Sequence, residues 1–215
     1  MSTVHIPATP VEPDGKYIEL DGELILPPSA KGVVLFAHGS GSSRFSPRNN
    51  YVAEVLQQRC VGTLLFDLLT REEDRDYETR FDIPLLTQRL LSATGWIQQN
   101  PATRNLRIGY FGASTGAASA LQAAANMGEK IAAVVSRGGR PDLAGEVALR
   151  RVTSPTLLIV GAADHGVIEL NRQAEALLVS KKQLTLIPGA THLFEEPGTL
   201  HQAASEAADW FDQHL

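Results

Sequence analysis

The stretch Arg107-Ile108-Gly109-Tyr110-Phe111-Gly112-Ala113-Ser114-Thr115-Gly116 decides how this chain is read. Arg107–Phe111 reads as a strand, and the Ala-rich run Thr115–Met127 that follows reads as a helix. Between them, residues 112–116 fit the pattern G-x-S-x-G. A strand, a sharp turn and a helix in that order place a serine on a strained backbone with its hydroxyl exposed. Glycines two residues to either side leave room where side chains would collide. The helix start sets the Thr115 N–H beside the serine, where the helix dipole favours developing negative charge. An ordinary strand-to-helix turn capped by serine has the same local pattern, so the reading depends on partners elsewhere in the chain.

Working outward, strands and helices alternate. Lys16–Leu20 and Glu23–Leu26 read as two strands joined by a turn at Asp21-Gly22. Val33–Ala37 and Thr63–Phe66 are short apolar runs, as expected of strands buried on both faces. Ile131–Val135, Thr156–Val160 and Gln183–Ile187 complete eight candidate strands. Helical spacing covers Pro47–Arg59, Ile83–Gln99, Ile168–Val179 and Gly198–His214, with a short helix after the loop Ser136–Arg140. Leu69–Asp82 is charged and reads as a loop. The expected fold class is α/β: one domain over residues 1–215, with a mostly parallel sheet and helices on both faces. Ligands of such sheets sit beyond the carboxyl ends of the strands, and every chemical motif here falls at such an end.

A serine hydroxyl needs a base, and histidine is the first candidate because it titrates near neutral pH. Of six histidines, His192 stands in a Gly-containing loop after the last strand. His5, His165, His201 and His214 lie in positions less suited to the role, and His38 reads as a side chain that pins its loop. The imidazole in turn needs an anion to fix its tautomer. Asp164 follows the strand Thr156–Val160, and the order Ser114, Asp164, His192 is the one expected for this arrangement. Asp67, the competitor, reads as a structural carboxylate. His38-Gly39-Ser40-Gly41 follows an inner strand and is expected to supply a second oxyanion donor, the Ser40 N–H, alongside that of Thr115. Arg44, Arg137 and Arg140 lie near the expected mouth and could hold an anionic substrate group.

The remaining features exclude more than they assign. The 215 residues are 43% hydrophobic and 20% charged, with a formal net charge of −5. That balance argues against nucleic acid as a partner. No apolar run reaches the roughly 20 residues of a membrane span, and no secretory signal is evident in Met1 to Pro13, which reads as a frayed extended arm. A cytoplasmic setting is expected. Cys60, the single cysteine, cannot form an intrachain disulfide and reads as a packed small apolar residue. No cluster has metal-ligand spacing, phosphate-loop motifs are absent from the Gly/Ser loop, and neither metal nor cofactor is expected. The partner expected is a small-molecule ester; the oligomeric state is left open.

Taken together, His38-Gly39-Ser40-Gly41, Gly112-Ala113-Ser114-Thr115-Gly116, Gly161-Ala162-Ala163-Asp164 and the loop ending at His192 resemble the dienelactone hydrolase-like branch of the α/β-hydrolases. The resemblance runs from about Val33 to the end of the chain. It implies an eight-stranded sheet, a catalytic Ser114, His192 and Asp164, and no cap domain, since no long insertion separates Ile131–Val135 from Thr156–Val160. Dienelactone hydrolases use a cysteine nucleophile where this chain has Ser114, so the resemblance implies a carboxylesterase-like enzyme. Thioesterase, lysophospholipase and peptidase chemistry use the same machinery. A catalytically silent binding protein on this fold is the reading from another class.

Overall fold

A computed structural model describes residues 2–8 and 18–215 of the chain. Eight strands form one sheet: β1 (Ser2–Ala8), β2 (Ile18–Ile25), β3 (Gly32–Ala37), β4 (Gly62–Phe66), β5 (Arg107–Ala113), β6 (Ile131–Arg137), β7 (Thr156–Gly161) and β8 (Lys182–Ile187), in the spatial order β1-β2-β4-β3-β5-β6-β7-β8. β1 and β2 are antiparallel to their neighbours, and all other pairings are parallel. Six helices accompany the sheet: α1 (Pro47–Gln58), α2 (Ile83–Gln99), α3 (Thr115–Met127), α4 (Glu146–Leu149), α5 (His165–Leu177) and α6 (Thr199–His214).

The helices cover both faces, which is why the central strands read as unbroken apolar runs. Along β3, Val33, Leu35 and Ala37 point into a core closed by α2 and α3. Val34 and Phe36 point into a second core closed by α1 and α6. Small residues set the spacing: Ala203, Ala204, Ala207 and Ala208 are buried on α6, and a Cβ on Gly109 would stand 2.7 Å from the Phe211 ring. Helix starts follow their caps. The Ser46 hydroxyl accepts the Asn49 N–H, and the Asp82 carboxylate accepts the Leu85 N–H, each satisfying one donor of a first turn. Between β6 and β7 lie only a 3-10 turn (Pro141–Ala144) and the one-turn α4, so no cap domain is inserted there.

The count of eight strands holds, but two lie elsewhere than expected. Asp21-Gly22 is not a turn. Ile18–Ile25 is one strand, with Asp21 opposite His5 and Gly22 between Val4 and Phe66. A Cβ on Gly22 would lie 3.0 Å from the Phe66 Cβ; the glycine answers close inter-strand packing rather than chain reversal. The eighth strand comes from the expected frayed arm: Ser2–Ala8 pairs with β2 along its whole length and buries Ile6 and Ala8. Lys16, Tyr17 and the rest of the arm lie outside the described residues.

Three smaller expectations also change. α5 begins at His165, three residues earlier than apolar spacing suggested, because the Asp164 carbonyl accepts the Ile168 N–H and opens the first turn. The loop 69–82 contains two 3-10 turns. Thr70 and Glu73 bond each other reciprocally, and Glu73 also receives the buried Arg89 at 2.6 Å. Cys60 is half-buried in the turn after α1 with φ +59°, so it is a turn residue rather than a packed one.

If β1 is an integral strand, Ile6→Ala should cost about 2–5 kcal/mol of stability, the usual range for truncating a buried Ile. Urea denaturation checks it; a loss below a few tenths would return this segment to a frayed arm.

Candidate active site

Ser114 sits between β5 and α3 with φ +50° and ψ −121°, a conformation an L-residue adopts only when its surroundings impose it. They do so on both sides. A Cβ on Gly112 would lie 2.4 Å from the Ala117 Cα, and one on Gly116 would lie 2.1 Å from the Ala37 carbonyl oxygen. Strand, turn and helix therefore meet where no side chain fits, and the serine is left at the top of the turn.

His192 reaches the serine from the loop after β8. Its Nε2 is 3.4 Å from the Ser114 hydroxyl, and its Nδ1 is 2.7 Å from the Asp164 carboxylate. The loop is held from three directions. Phe194 is buried at φ +56° and anchors it into the core. The Ala163 N–H donates to the Ala190 carbonyl, joining it to the Asp164 turn. The Glu196 carboxylate accepts both the hydroxyl and the N–H of Thr191, at 2.6 and 3.1 Å, and these bonds hold it below the usual carboxylate range. Sequence reasoning missed Glu196; its only signal was a carboxylate a short turn beyond Thr191.

The loop after β3 approaches from the other side. The Ser40 N–H donates to the Thr115 hydroxyl at 2.8 Å, so it stands beside the first residue of α3. His38 is buried; its Nδ1–H donates to the Gly39 carbonyl and its Nε2 accepts the Leu68 N–H, both at 3.0 Å. Burial lowers its pKa, and both ring nitrogens are occupied by backbone, as expected of a pin rather than a base. Asp67 is structural too: it accepts the Arg44 N–H at 2.7 Å and the Arg44 guanidinium.

The three candidate arginines separate. Arg44 is bound to Asp67 and Asp21 and lines a neighbouring cavity with His38. Arg140 forms a fork with Asp142 at 2.9 and 2.7 Å. Both guanidiniums are therefore already matched by carboxylates; Arg140 meets Ser114 through its backbone, its N–H donating to the Ser114 carbonyl at 3.0 Å. Arg137 differs. It ends β6 opposite Ala113, is only 8% exposed, and lines the cleft with Ser114 and His192. Its pKa falls to about 10, first because it is buried and second because Arg48 stands nearby. The buried Asn171 amide donates to the Gly139 carbonyl at 3.0 Å and fixes the Arg137–Arg140 loop. Among the described residues no group of three or more His, Cys, Asp or Glu is gathered as a metal site. No helix among them is long and apolar enough to cross a membrane.

An eight-stranded, mostly parallel sheet with Ser114, Asp164 and His192 all at strand carboxyl ends is the architecture of an α/β-hydrolase. The sequence profile of the dienelactone hydrolase family matches residues 22–214, and the chain belongs to that family. The crystal structure of a dienelactone hydrolase from Anabaena variabilis is 53% identical over the whole of both chains, with a TM-score of 0.90. Est1E of Butyrivibrio proteoclasticus shares the fold, with a TM-score of 0.81 over 100% of this chain and 99% of that one at 17% identity. A Mycobacterium tuberculosis protein that carries the provisional name phosphoribosyl transferase is 58% identical over 198 residues, 92% of this chain and 44% of that protein. The chain thus spans less than half the length of that relative. Fold and family thus agree: the chain carries the α/β-hydrolase fold and the dienelactone hydrolase family profile.

The neutral, buried His38 has a consequence for stability. Its folded pKa lies below the ordinary 6.5, so below that value the unfolded chain binds the extra proton and stability falls with pH. His38→Gln should flatten the decline in Tm between about pH 7 and pH 5 relative to the native protein. Parallel curves would show that His38 takes no part in it.

Proposed function

We propose that the protein cleaves carboxylic esters through an acyl-enzyme on Ser114. His192 Nε2 takes the hydroxyl proton as Ser114 Oγ attacks the acyl carbon, and Asp164 stabilises the imidazolium that forms. The oxyanion is met by the Thr115 N–H at the start of α3 and by the Ser40 N–H once the Thr115 hydroxyl yields it. Each such donor contributes about 3 kcal/mol to the transition state. His192 returns the proton to the departing alkoxide. A water then repeats the sequence on the acyl-enzyme and releases the acid.

The observation that carries this reading is the continuous line from Asp164 through His192 to Ser114, at 2.7 and 3.4 Å, on a serine held at φ +50°. Competent residues at all three positions favour an enzyme over a silent binding protein. The transferase named for the M. tuberculosis relative does not argue against this: the match covers 44% of that protein, and 198 of the 215 residues here necessarily include most of the hydrolase-family segment.

Ser114→Ala should lower kcat on p-nitrophenyl acetate by at least about a thousandfold, as loss of a triad nucleophile does, with Tm retained. A fluorophosphonate probe should label the native protein and not the variant. Undiminished turnover in a folded Ser114→Ala protein would sink the assignment.

A further inference from the structure

The cleft beside Ser114 holds about 190 Å³ and is lined by two arginines, Arg48 and Arg137, with no Asp or Glu among its described lining residues. Arg137 is the unusual one. Its Nη2 donates to the Asn49 side-chain oxygen at 3.3 Å, while its Nε and Nη1 are buried without a partner among the described residues. Its guanidinium lies 5.6 Å from the centre of the Phe194 ring and 6.0 Å from that of Phe111. Those rings offset part of the charge, but they do not satisfy N–H groups. A buried cation with open donors is destabilising, and an unsatisfied buried group of this kind points to something the site receives.

The surroundings of Arg137 are matched to an anion. Ser46, Arg48 and Asn49, which cap and open α1, line the same cleft. The first turn of α1 holds no acidic residue, so the positive end of the helix dipole is not neutralised there. Arg48 is itself 35% exposed, and its carboxylate partner, Glu195, is 65% exposed at 3.3 Å; such a rim pair is weak and exchangeable. Two guanidiniums and a helix N-terminus leave one positive charge over when a carboxylate binds, and are balanced by a dianion.

We propose that this cleft is a phosphate subsite, in which Arg137, Arg48 and the first turn of α1 hold a phosphate monoester group of the ester that Ser114 cleaves. The inference rests on the esterase reading for its chemistry but not for its binding. Arg137 is then a specificity-determining residue: its carbonyl accepts the Ser114 N–H at 3.3 Å, so an anion bound by its side chain is fixed close to the nucleophile.

Three acetates that differ in one group test it: 2-acetoxyethyl phosphate, 3-acetoxypropionate and 2-hydroxyethyl acetate. The native protein should favour the phosphate over the neutral ester by about a hundredfold in kcat/KM, with the carboxylate between them. Arg137→Met should remove at least about tenfold of that preference, through KM, and leave the neutral ester within about threefold. Arg48→Gln should show a smaller loss. Arg137→Lys, which keeps the charge without the fork, should retain part of the preference and serves if the Met variant fails to fold. Equal values for the three native substrates, a carboxylate preferred over phosphate, or an equal fall on charged and neutral esters in a folded Arg137→Met protein would each overturn the subsite. Calorimetry of phenyl phosphate separates binding from chemistry. Binding to Ser114→Ala that is lost in Ser114→Ala/Arg137→Met supports the subsite even where no ester is turned over. No binding to Ser114→Ala removes it even where the neutral acetate is cleaved.

Discussion

β5 and α3 approach so closely around Ser114 that a Cβ at Gly112 would enter the Ala117 backbone and one at Gly116 would enter the carbonyl of Ala37. This steric closure fixes everything above it. Because the helix cannot back away, Ser114 is held in the left-handed region and its hydroxyl stands clear of the sheet. Because the Ala37 carbonyl end of β3 touches Gly116, the loop that follows β3 is brought over the serine, and its Ser40 N–H meets Thr115. The buried His38 then ties that loop to the end of β4 through Leu68. Ser114, Asp164, His192 and the loop carrying Ser40 come from four different strand ends, and they share one frame because the sheet between them is packed on both faces.

That much was legible in the sequence, because short-range rules govern it. A run of β-formers, two glycines around a serine and a helix-forming tract can be read locally, and the topology brings Asp164 and His192 to the same edge. Glycine marks a place where something comes close without saying what. At Gly112 and Gly116 the neighbour is the next turn of the same chain, and the local reading succeeded. At Gly22 the neighbour is Phe66, far along the chain, and the local pattern there is that of a turn. Ser2–Ala8 escaped because a strand with alternating burial needs its partner to be recognised, and Ile6 alone looks like an apolar residue in a loose arm.

The arginines show the same limit for charge. Sequence puts Arg44, Arg137 and Arg140 near the mouth and cannot distinguish them. The distinction lies in which carboxylates the fold delivers: Asp67 and Asp21 to Arg44, Asp142 to Arg140, and none among the described residues to Arg137. Glu196 and Asn49 were missed for the same reason, since each matters through a partner that only the folded chain brings near.

The turn after α1 has a practical side. Cys60 occupies φ +59° there, where a residue with a Cβ pays roughly 1–2 kcal/mol of backbone strain and glycine does not. The customary thiol-free replacements, serine and alanine, would keep that strain. Cys60→Gly would remove it together with the chain's sole thiol, giving a protein that can be handled without reductant and carry an engineered label elsewhere.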